Sequence, residues 1–292
     1  MWYNIPYIGK GDLFLLNILF LILSTIGCAG CFALWSDLSL WWIFPVWIGL
    51  YVALTLLWAI FLCIASLFLP KKQLKKPLPF CTFMVGFGLD WLLSLLGIHV
   101  RWIGREKLPD EPCVIISNHI SDFDPMILLG TMRDRKLVYI SKESNFRIPV
   151  VGPFLHGAGF LSIDRDNALR AVRTLGAAGE KMKQYGVDVG IYPEGTRSRT
   201  GKLLRFKKGA FVLAQKANAP IAILVTRGTE KMFQRILTPG LVKTELEVIE
   251  ILDSQTVQSM SVEELMLYTR NVIAKAIGQP VEEPKASSSE KE

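Results

Sequence analysis

The stretch SNHISDFDP, residues 117–125, sets an imidazole beside two carboxylates directly after an apolar run. A turn here can fold an aspartate back onto His119, fix the tautomer of the ring, and leave its other nitrogen free to take a proton from an alcohol. Such general-base assistance is typically worth about 10²–10⁴-fold in rate. Both Asp122 and Asp124 are close enough in sequence, so spacing leaves the partner open. Alternatively, Asp124 only caps a helix that begins at Pro125, and His119 is an ordinary turn residue.

Polar clusters follow two more of the predicted strands. In SIDRDN, Arg165 comes directly after a strand, and in IYPEGTRSR a second strand is followed by Glu194, Gly195, Thr196 and Arg197. Glycine lets a backbone approach a ligand closely, and a guanidinium offers a planar fork to phosphate. Either cluster alone could be a capped loop with a solvated charge. Three clusters at strand ends predict one site, because ligands of open α/β sheets gather outside the carboxyl ends of the strands.

The elements that must position these residues alternate along the chain. Apolar runs predict strands at 113–117, 136–141, 159–163, 187–192, 220–226 and 245–252, and periodic segments predict helices at 125–132, 167–185, 206–218 and 261–278. In the helix 167–185, the spacing assigns Leu169, Val172, Leu175 and Met182 to the buried face and Lys181 to the polar one. This alternation predicts an α/β fold with a mixed sheet flanked by helices.

The N-terminal part of the chain has a different composition. Residues 13–35 and 38–69 carry no charged side chain, and each exceeds the roughly 20 apolar residues that cross a bilayer core. The basic run KKQLKK at 71–76 favours a cytoplasmic location for everything that follows, at the inner membrane. A helical hairpin embedded in the membrane is therefore predicted, and it could either span the bilayer or dip into a single leaflet. A cleaved secretory signal is less favoured, because a second apolar segment follows almost at once.

These patterns divide the chain into four parts. A membrane hairpin occupies residues 1–70, and a basic juxtamembrane linker with an apolar helix occupies residues 71–99. The α/β domain covers residues 100–279. The polar segment 280–292 is predicted to be a disordered tail.

Charge and cysteine content restrict the classes of partner. The formal net charge is +7, and its positive excess lies between residues 70 and 244. This favours anionic lipid headgroups or phosphorylated substrates; nucleic acid is not expected, since no groove-reading motif accompanies the charge. The five cysteines do not suggest a disulfide framework in a cytoplasmic domain, and no metal-binding Cys/His spacing is present.

Four segments in order resemble the conserved blocks of the glycerolipid acyltransferases. NHISDFD fits the NHx4D block, GFLSIDR the second, PEGTRS the third and APIAILV the fourth, and together they cover residues 100 to 230. The resemblance implies acyl transfer from a thioester of acyl carrier protein or coenzyme A to the free hydroxyl of a lysophosphatidate. No cofactor is implied. The same chemistry on glycerol 3-phosphate or another lysophospholipid is the nearest alternative.

The resemblance also implies roles for the clustered residues. His119 would act as general base and Asp124 would orient its ring. The acceptor phosphate would be bound by three cations, which are Arg165, Arg197 and Lys142. Glu194, Gly195 and Thr196 would belong to the acceptor site, and backbone N–H groups near His119 or Gly195 would stabilise the oxyanion.

No side chain in the sequence has the setting of a nucleophile, so direct transfer between bound substrates is expected. The basic run 197–208 could receive the acidic carrier protein or coenzyme A, or it could face solvent or lipid. Two other classes of function fit the sequence less well. A non-catalytic lipid-binding protein would not need the His/Asp pair, and a metal-dependent hydrolase built on His119, Asp122 and Glu194 lacks further histidines in ligand spacing.

Overall fold

The α/β domain is built on one mixed sheet. A computed structural model describes residues 15–35, 37, 39–164, 167–232 and 242–283. Within them the strands run in the order β1-β7-β6-β2-β5-β3-β4, and only β6 and β7 pair antiparallel. The strands are β1 Ile98–Ile103, β2 Val114–Ser117, β3 Leu137–Lys142, β4 Leu161–Ile163, β5 Asp188–Ile191, β6 Ile221–Arg227 and β7 Val242–Leu252. The predicted α/β class with a mixed sheet is confirmed.

Helices flank the sheet and extend to the N-terminal hairpin. They are α1 Leu15–Leu34, α2 Ile43–Phe68, α3 Pro79–Leu95, α4 Asp124–Thr131, α5 Val151–Gly157, α6 Ala168–Tyr185, α7 Gly209–Ala217, α8 Ser254–Ser259 and α9 Val262–Ala276. Helices α5 and α8 are absent from the predicted elements, because 7 and 6 residues are too few to show helical periodicity. The predicted start of α9 is confirmed by a capping box between Ser261 and Glu264.

Most apolar side chains of the hairpin are exposed, although Leu16, Phe20 and Cys28 on α1 are buried. Leu16–Leu34 and Leu40–Phe68 are long and apolar enough to cross a membrane, and no part of the most apolar window of the second segment is buried. Trp41 and Trp42, at the tip, are also exposed. An exposed apolar surface of this extent is unstable in water and is typical of a membrane protein.

Helix α6 corrects one prediction. Leu175 and Met182 are buried as expected, but Leu169 and Val172 are 63% and 52% exposed. Lys181, assigned to the polar face, is buried, and its Nζ donates to the carbonyls of Leu74 at 2.7 Å and Gly159 at 2.6 Å. Periodicity located the helix but not the orientation of Lys181, because the carbonyls that Lys181 binds belong to the linker and to the segment before β4.

The start of the predicted disordered tail is held in place. Asn271 on α9 exchanges two hydrogen bonds of 2.8 Å with the backbone of Glu282. Residues 280–283 have no regular secondary structure, although Glu282 lies next to α9, and the disorder of the tail stays a prediction. Residues 284–292 lie outside the described part of the chain.

Candidate active site

The carboxyl end of β2 carries the central part of the site. All four residues of β2 are buried, and the next residue, Asn118, pairs its side-chain amide with the backbone of Thr226 on β6. Asn118 Nδ2 donates to the Thr226 carbonyl at 3.0 Å, and the Thr226 N–H donates to Asn118 Oδ1 at 2.8 Å. Sequence reasoning missed this function of Asn118; the only signal was a buried amide at a strand end. The pair fixes where the following histidine emerges.

His119 and Asp124 form a hydrogen-bonded pair. His119 Nδ1 lies 3.0 Å from Asp124 Oδ2, and the same oxygen accepts the N–H groups of Ile120 and Ser121, both at 2.8 Å. Asp124 is the first residue of α4 and is 0% exposed. Asp122 instead bonds to Arg197, so the structure selects Asp124 from the two aspartates that spacing left open. The ring is held with Nδ1 turned inward.

The face of the imidazole is covered by an aromatic side chain. The rings of His119 and Tyr192 stack at 4.2 Å between centroids, with 15° between planes. The Tyr192 hydroxyl lies 3.2 Å from that of Tyr139, and burial raises the pKa of both tyrosines, which keeps them neutral. The His119 side chain is 13% exposed, and Nε2 has no protein partner among the described residues. A substrate group can therefore reach this nitrogen.

Glu194 connects the segment 191–199 to the segment 117–125 that carries His119. Its Oε1 accepts the backbone N–H of His119 at 2.8 Å, and its Oε2 accepts that of Leu204 at 2.9 Å. The backbone N–H of Ser198 in turn donates to the His119 carbonyl at 2.8 Å. Burial raises the pKa of Glu194, and the two backbone donors counteract this rise. Both carboxylate oxygens accept backbone N–H groups, so Glu194 holds the His119 and Leu204 segments together.

The backbone conformation favours glycine at position 195, whereas the predicted close approach to a ligand stays a prediction. The φ of Gly195 is +71°, and a Cβ added there would lie 2.9 Å from Cε and Nζ of Lys207. Glycine therefore fits the turn and the neighbouring lysine. Thr196, the next residue, is exposed at the surface of this loop.

The predicted phosphate-binding cations have three different settings. Arg197 is partly exposed and forms an ion pair of 2.5 Å with Asp122. Lys142 is exposed at the end of β3. Strand β5 lies between β2 and β3, and its parallel registers with both place Lys142 level with Asn118. The two backbones are therefore about 10 Å apart, which is two strand spacings. Arg165 lies outside the described residues.

The backbone donors proposed for the oxyanion are already engaged. The N–H groups of His119, Ile120 and Ser121 donate to carboxylates, and that of Gly195 donates to the Tyr192 carbonyl at 3.0 Å. These four groups therefore do not form an oxyanion hole in this conformation. In the described part of the chain, no group of three His, Cys, Asp or Glu side chains could hold a metal ion.

Two side chains near the site have settings that do not favour nucleophilic attack. Ser117 is buried, and its hydroxyl lies 3.1 Å from that of Thr226. Cys113 is buried at the opposite end of β2, where burial and the charge of Asp188 raise the pKa of the thiol. A thiol with a raised pKa supplies little thiolate.

The basic run after the third cluster is tied to the C-terminal segment. Gln279 Oε1 accepts the N–H of Leu203 at 2.8 Å, and Gln279 Nε2 donates to the Gly201 carbonyl at 2.7 Å. Lys208 pairs with Glu263 on α9. This loop, whose Leu204 also binds Glu194, is thus held from both sides.

The chain is similar to proteins of a known family. The family model described as Acyltransferase matches residues 99–226. This range contains His119, Asp124 and Glu194.

Individual relatives indicate which group of acyltransferases the chain resembles. A Borreliella burgdorferi 1-acyl-sn-glycerol-3-phosphate acyltransferase is 32% identical over 191 residues, which are 63% of this chain and 74% of that protein. The crystal structure of the 1-acyl-sn-glycerophosphate (LPA) acyltransferase PlsC from Thermotoga maritima has a TM-score of 0.56 and 29% identity, covering 68% of this chain and 78% of that one. The chain belongs to the PlsC-like family of 1-acyl-sn-glycerol-3-phosphate acyltransferases.

The share of each relative's length that this chain matches differs between relatives. The human 1-acyl-sn-glycerol-3-phosphate acyltransferase beta is 36% identical over 139 residues, 47% of this chain and 50% of that protein. For the yeast and Brassica napus relatives the chain spans 46% and 37% of their length. The chain therefore spans half or less of the length of these three relatives.

Proposed function

We infer that this protein transfers an acyl chain from an acyl thioester to the free hydroxyl of 1-acyl-sn-glycerol 3-phosphate, producing phosphatidic acid. The observation that carries this inference is the hydrogen bond between the partly exposed His119 and the buried Asp124, with Nε2 of His119 unpaired among the described residues. The names of the relatives in three kingdoms support the acceptor and the product.

The dyad can activate an alcohol. Nε2 of His119 accepts the hydroxyl proton while the acceptor oxygen attacks the thioester carbonyl, and Asp124 stabilises the resulting imidazolium. The tetrahedral intermediate collapses with cleavage of the C–S bond, and the imidazolium returns the proton to the departing thiolate. The new ester and a free thiol are the products, so the enzyme ends in its starting protonation state.

Transfer proceeds directly between the two substrates, without an acyl-enzyme. Ser117 and Cys113 are both buried, and neither is hydrogen-bonded to His119. Incubation with labelled acyl donor alone, followed by denaturation and mass spectrometry, should give unmodified protein. A stable acyl adduct on any side chain would contradict direct transfer.

The acceptor phosphate meets Arg197, with Lys142 and Arg165 as further cations. Arg197 now pairs with Asp122, so an incoming phosphate exchanges one anionic partner for another. The acceptor arrives from the bilayer that surrounds the hairpin, and the catalytic domain faces the cytoplasm because the basic run at 71–76 follows α2. Acyl carrier protein and coenzyme A thioesters are both donor candidates, and no cofactor takes part.

The decisive experiment is His119→Ala in an acyl-transfer assay that also measures lysophosphatidate binding. Turnover should fall by about 10²–10⁴-fold, because the general base is lost, while binding largely persists. His99→Ala, which removes an exposed histidine on β1, is the matched control and should retain turnover. Comparable turnover in His119→Ala would leave the assignment of the base without support.

A substrate panel separates the remaining alternatives. Purified protein should be offered lysophosphatidate, glycerol 3-phosphate and another lysophospholipid, each with carrier-protein and coenzyme A donors. Preferred use of lysophosphatidate supports the proposed reaction, and the better donor identifies the thioester. Absence of turnover with every pair would favour a non-catalytic lipid-binding role. Loss of activity on treatment with a strong chelator would instead support metal-dependent chemistry.

A further inference from the structure

The second oxygen of the Asp124 carboxylate has its own donor. Oδ2 faces the histidine and two backbone N–H groups, whereas Oδ1 accepts the hydroxyl of Thr229 at 2.5 Å. Thr229 is buried, and it lies 105 residues further along the chain than Asp124. No other donor to Oδ1 is recorded in the described ranges. The carboxylate is therefore satisfied on one side by its own loop and on the other by a distant residue.

The fold brings Thr229 to this place through the end of β6. Gly228 has a φ of +83°, and a Cβ there would come within 2.7 Å of the Lys243 carbonyl on β7. This tight turn follows β6 directly, and β6 is fastened to the site loop by the Asn118–Thr226 pair. The hydroxyl of Thr229 is consequently held under Asp124 by two neighbouring strands.

We propose that Thr229 is a positioning residue for the His119–Asp124 pair, in addition to the residues of the known sequence blocks. Its hydroxyl fixes the plane of the carboxylate, so that Oδ2 stays aligned with Nδ1 of the imidazole. The proposal deepens the proposed function and rests on it for its effect on turnover. Its effect on the titration of His119 does not require turnover.

The physical basis is the cost of an unsatisfied buried oxygen. Without the hydroxyl, Oδ1 would be a buried anionic acceptor with no partner, and an unmade hydrogen bond of this kind is costly. When the pair has lost its proton, no imidazolium shares the charge of Asp124, so this state depends more on the Thr229 hydroxyl than the protonated state does. Removing the donor therefore favours retention of the proton on the pair and raises the pH at which the pair loses it.

Two substitutions at Thr229 separate positioning from packing. Thr229→Val keeps the shape and removes the hydroxyl, and Thr229→Ser keeps the hydroxyl. We expect Thr229→Val to lower kcat about 10-fold or more, with little change in KM, and to move the acidic limb of kcat/KM to higher pH by about one unit, which corresponds to one net hydrogen bond. Thr229→Ser should restore both values to near those of the wild type.

A matched control loses a threonine hydroxyl elsewhere in the same sheet. Thr244 on β7 is buried, and its hydroxyl donates to the His99 carbonyl at 3.3 Å. Thr244→Val should lower stability without moving the acidic limb. If Thr229→Val behaved like Thr244→Val, or if Thr229→Ser failed to restore the pH profile, the positioning role would be overturned.

A spectroscopic measurement tests the coupling independently of catalysis. The imidazole resonance of His119 can be titrated by NMR in detergent micelles and assigned by its absence in His119→Gln, since the chain has 3 histidines. A higher midpoint in Thr229→Val than in the wild type supports the proposal even if no acyl transfer is found, an outcome that would refute only the proposed function. An unchanged midpoint would overturn the proposal.

Discussion

The N-terminal hairpin and the α/β domain use apolar side chains in opposite ways. Strand β2 buries every residue, whereas α2, which is longer and also apolar, leaves its most apolar window uncovered. The strand is surrounded by protein on both faces of the sheet, and the helix has the exposed apolar surface that is typical of a membrane segment. Composition alone therefore does not say whether an apolar segment is core; the identity of its surroundings does.

Buried polar groups show the same contrast. In the hairpin, Asn17 on α1 accepts the Tyr51 hydroxyl of α2 at 3.0 Å and also bonds to Ser94 of α3. In the domain, Asp124 and Glu194 are buried with both oxygens satisfied. A polar side chain away from water needs a partner in either environment. In the hairpin it joins helices, and in the domain it shapes a reactive site.

The largest expected difference comes from one substitution placed in each region. Ile116→Ala, in β2, should lower the free energy of unfolding by about 2–5 kcal/mol, because it leaves a cavity in a close-packed core. Ile60→Ala, on α2 at 53% exposure, should change it by less than about 0.5 kcal/mol. Denaturant titration in micelles measures both. Equal losses would indicate that the α2 surface packs against protein.

The next largest effect concerns a carboxylate. Glu194→Gln should lower kcat about 100-fold, or about 2.7 kcal/mol, because an amide has one acceptor oxygen and its NH₂ must face the N–H of His119 or Leu204. Steady-state kinetics measures the loss. Glu263→Gln, at an exposed ion pair, is the control and should remain active. An active Glu194→Gln enzyme would mean that these backbone bonds do not organise the site.

A pH-dependent effect is expected where the two regions meet. Burial lowers the pKa of Lys181 from 10.5 to about 8, and its ammonium binds the Leu74 carbonyl of the linker. Between these pH values the folded protein carries fewer protons than the unfolded chain, so this residue makes stability rise with pH, and below pH 8 its effect is constant.

Comparison with Lys181→Met isolates this contribution. Across that pH window, the unfolding free energy of the wild type should gain on the order of 2 kcal/mol relative to the variant. Denaturant titrations at several pH values measure the difference. A difference that stays constant with pH would show that Lys181 keeps its ordinary pKa in the folded protein.

The smallest effect concerns the polar contact inside the hairpin. Asn17→Leu and Tyr51→Phe each remove the same hydrogen bond, so a double-mutant cycle should give a coupling energy of about 1 kcal/mol. Thermal unfolding in micelles measures the cycle. Additive single effects would mean that this bond does not join α1 to α2.

Local patterns predicted the elements better than their surroundings. The strands 113–117 and 220–226 and the helix 167–185 coincide closely with β2, β6 and α6. The buried side of α6 was misassigned, since Leu169 faces outward and Lys181 inward. Periodicity reports which residues share a face, but the neighbours that cover the face come from distant parts of the chain.

The site shows the same division. His119, Asp124 and Glu194 stand out in sequence because polar residues follow apolar strands, and the roles assigned to them remain predictions. The choice of Asp124 over Asp122 and the stacking of Tyr192 required three dimensions. Both depend on how two loops meet at the sheet edge.

By itself the sequence determined the two apolar segments, the alternation of strands and helices, and the residue types that could move a proton, because these follow from local composition and spacing. Only the tertiary structure decided which carboxylate meets the imidazole, which nitrogen stays open, and that Thr229 lies beneath the pair. Strand order and turn geometry bring together residues that are far apart along the chain, and no local pattern encodes those distances.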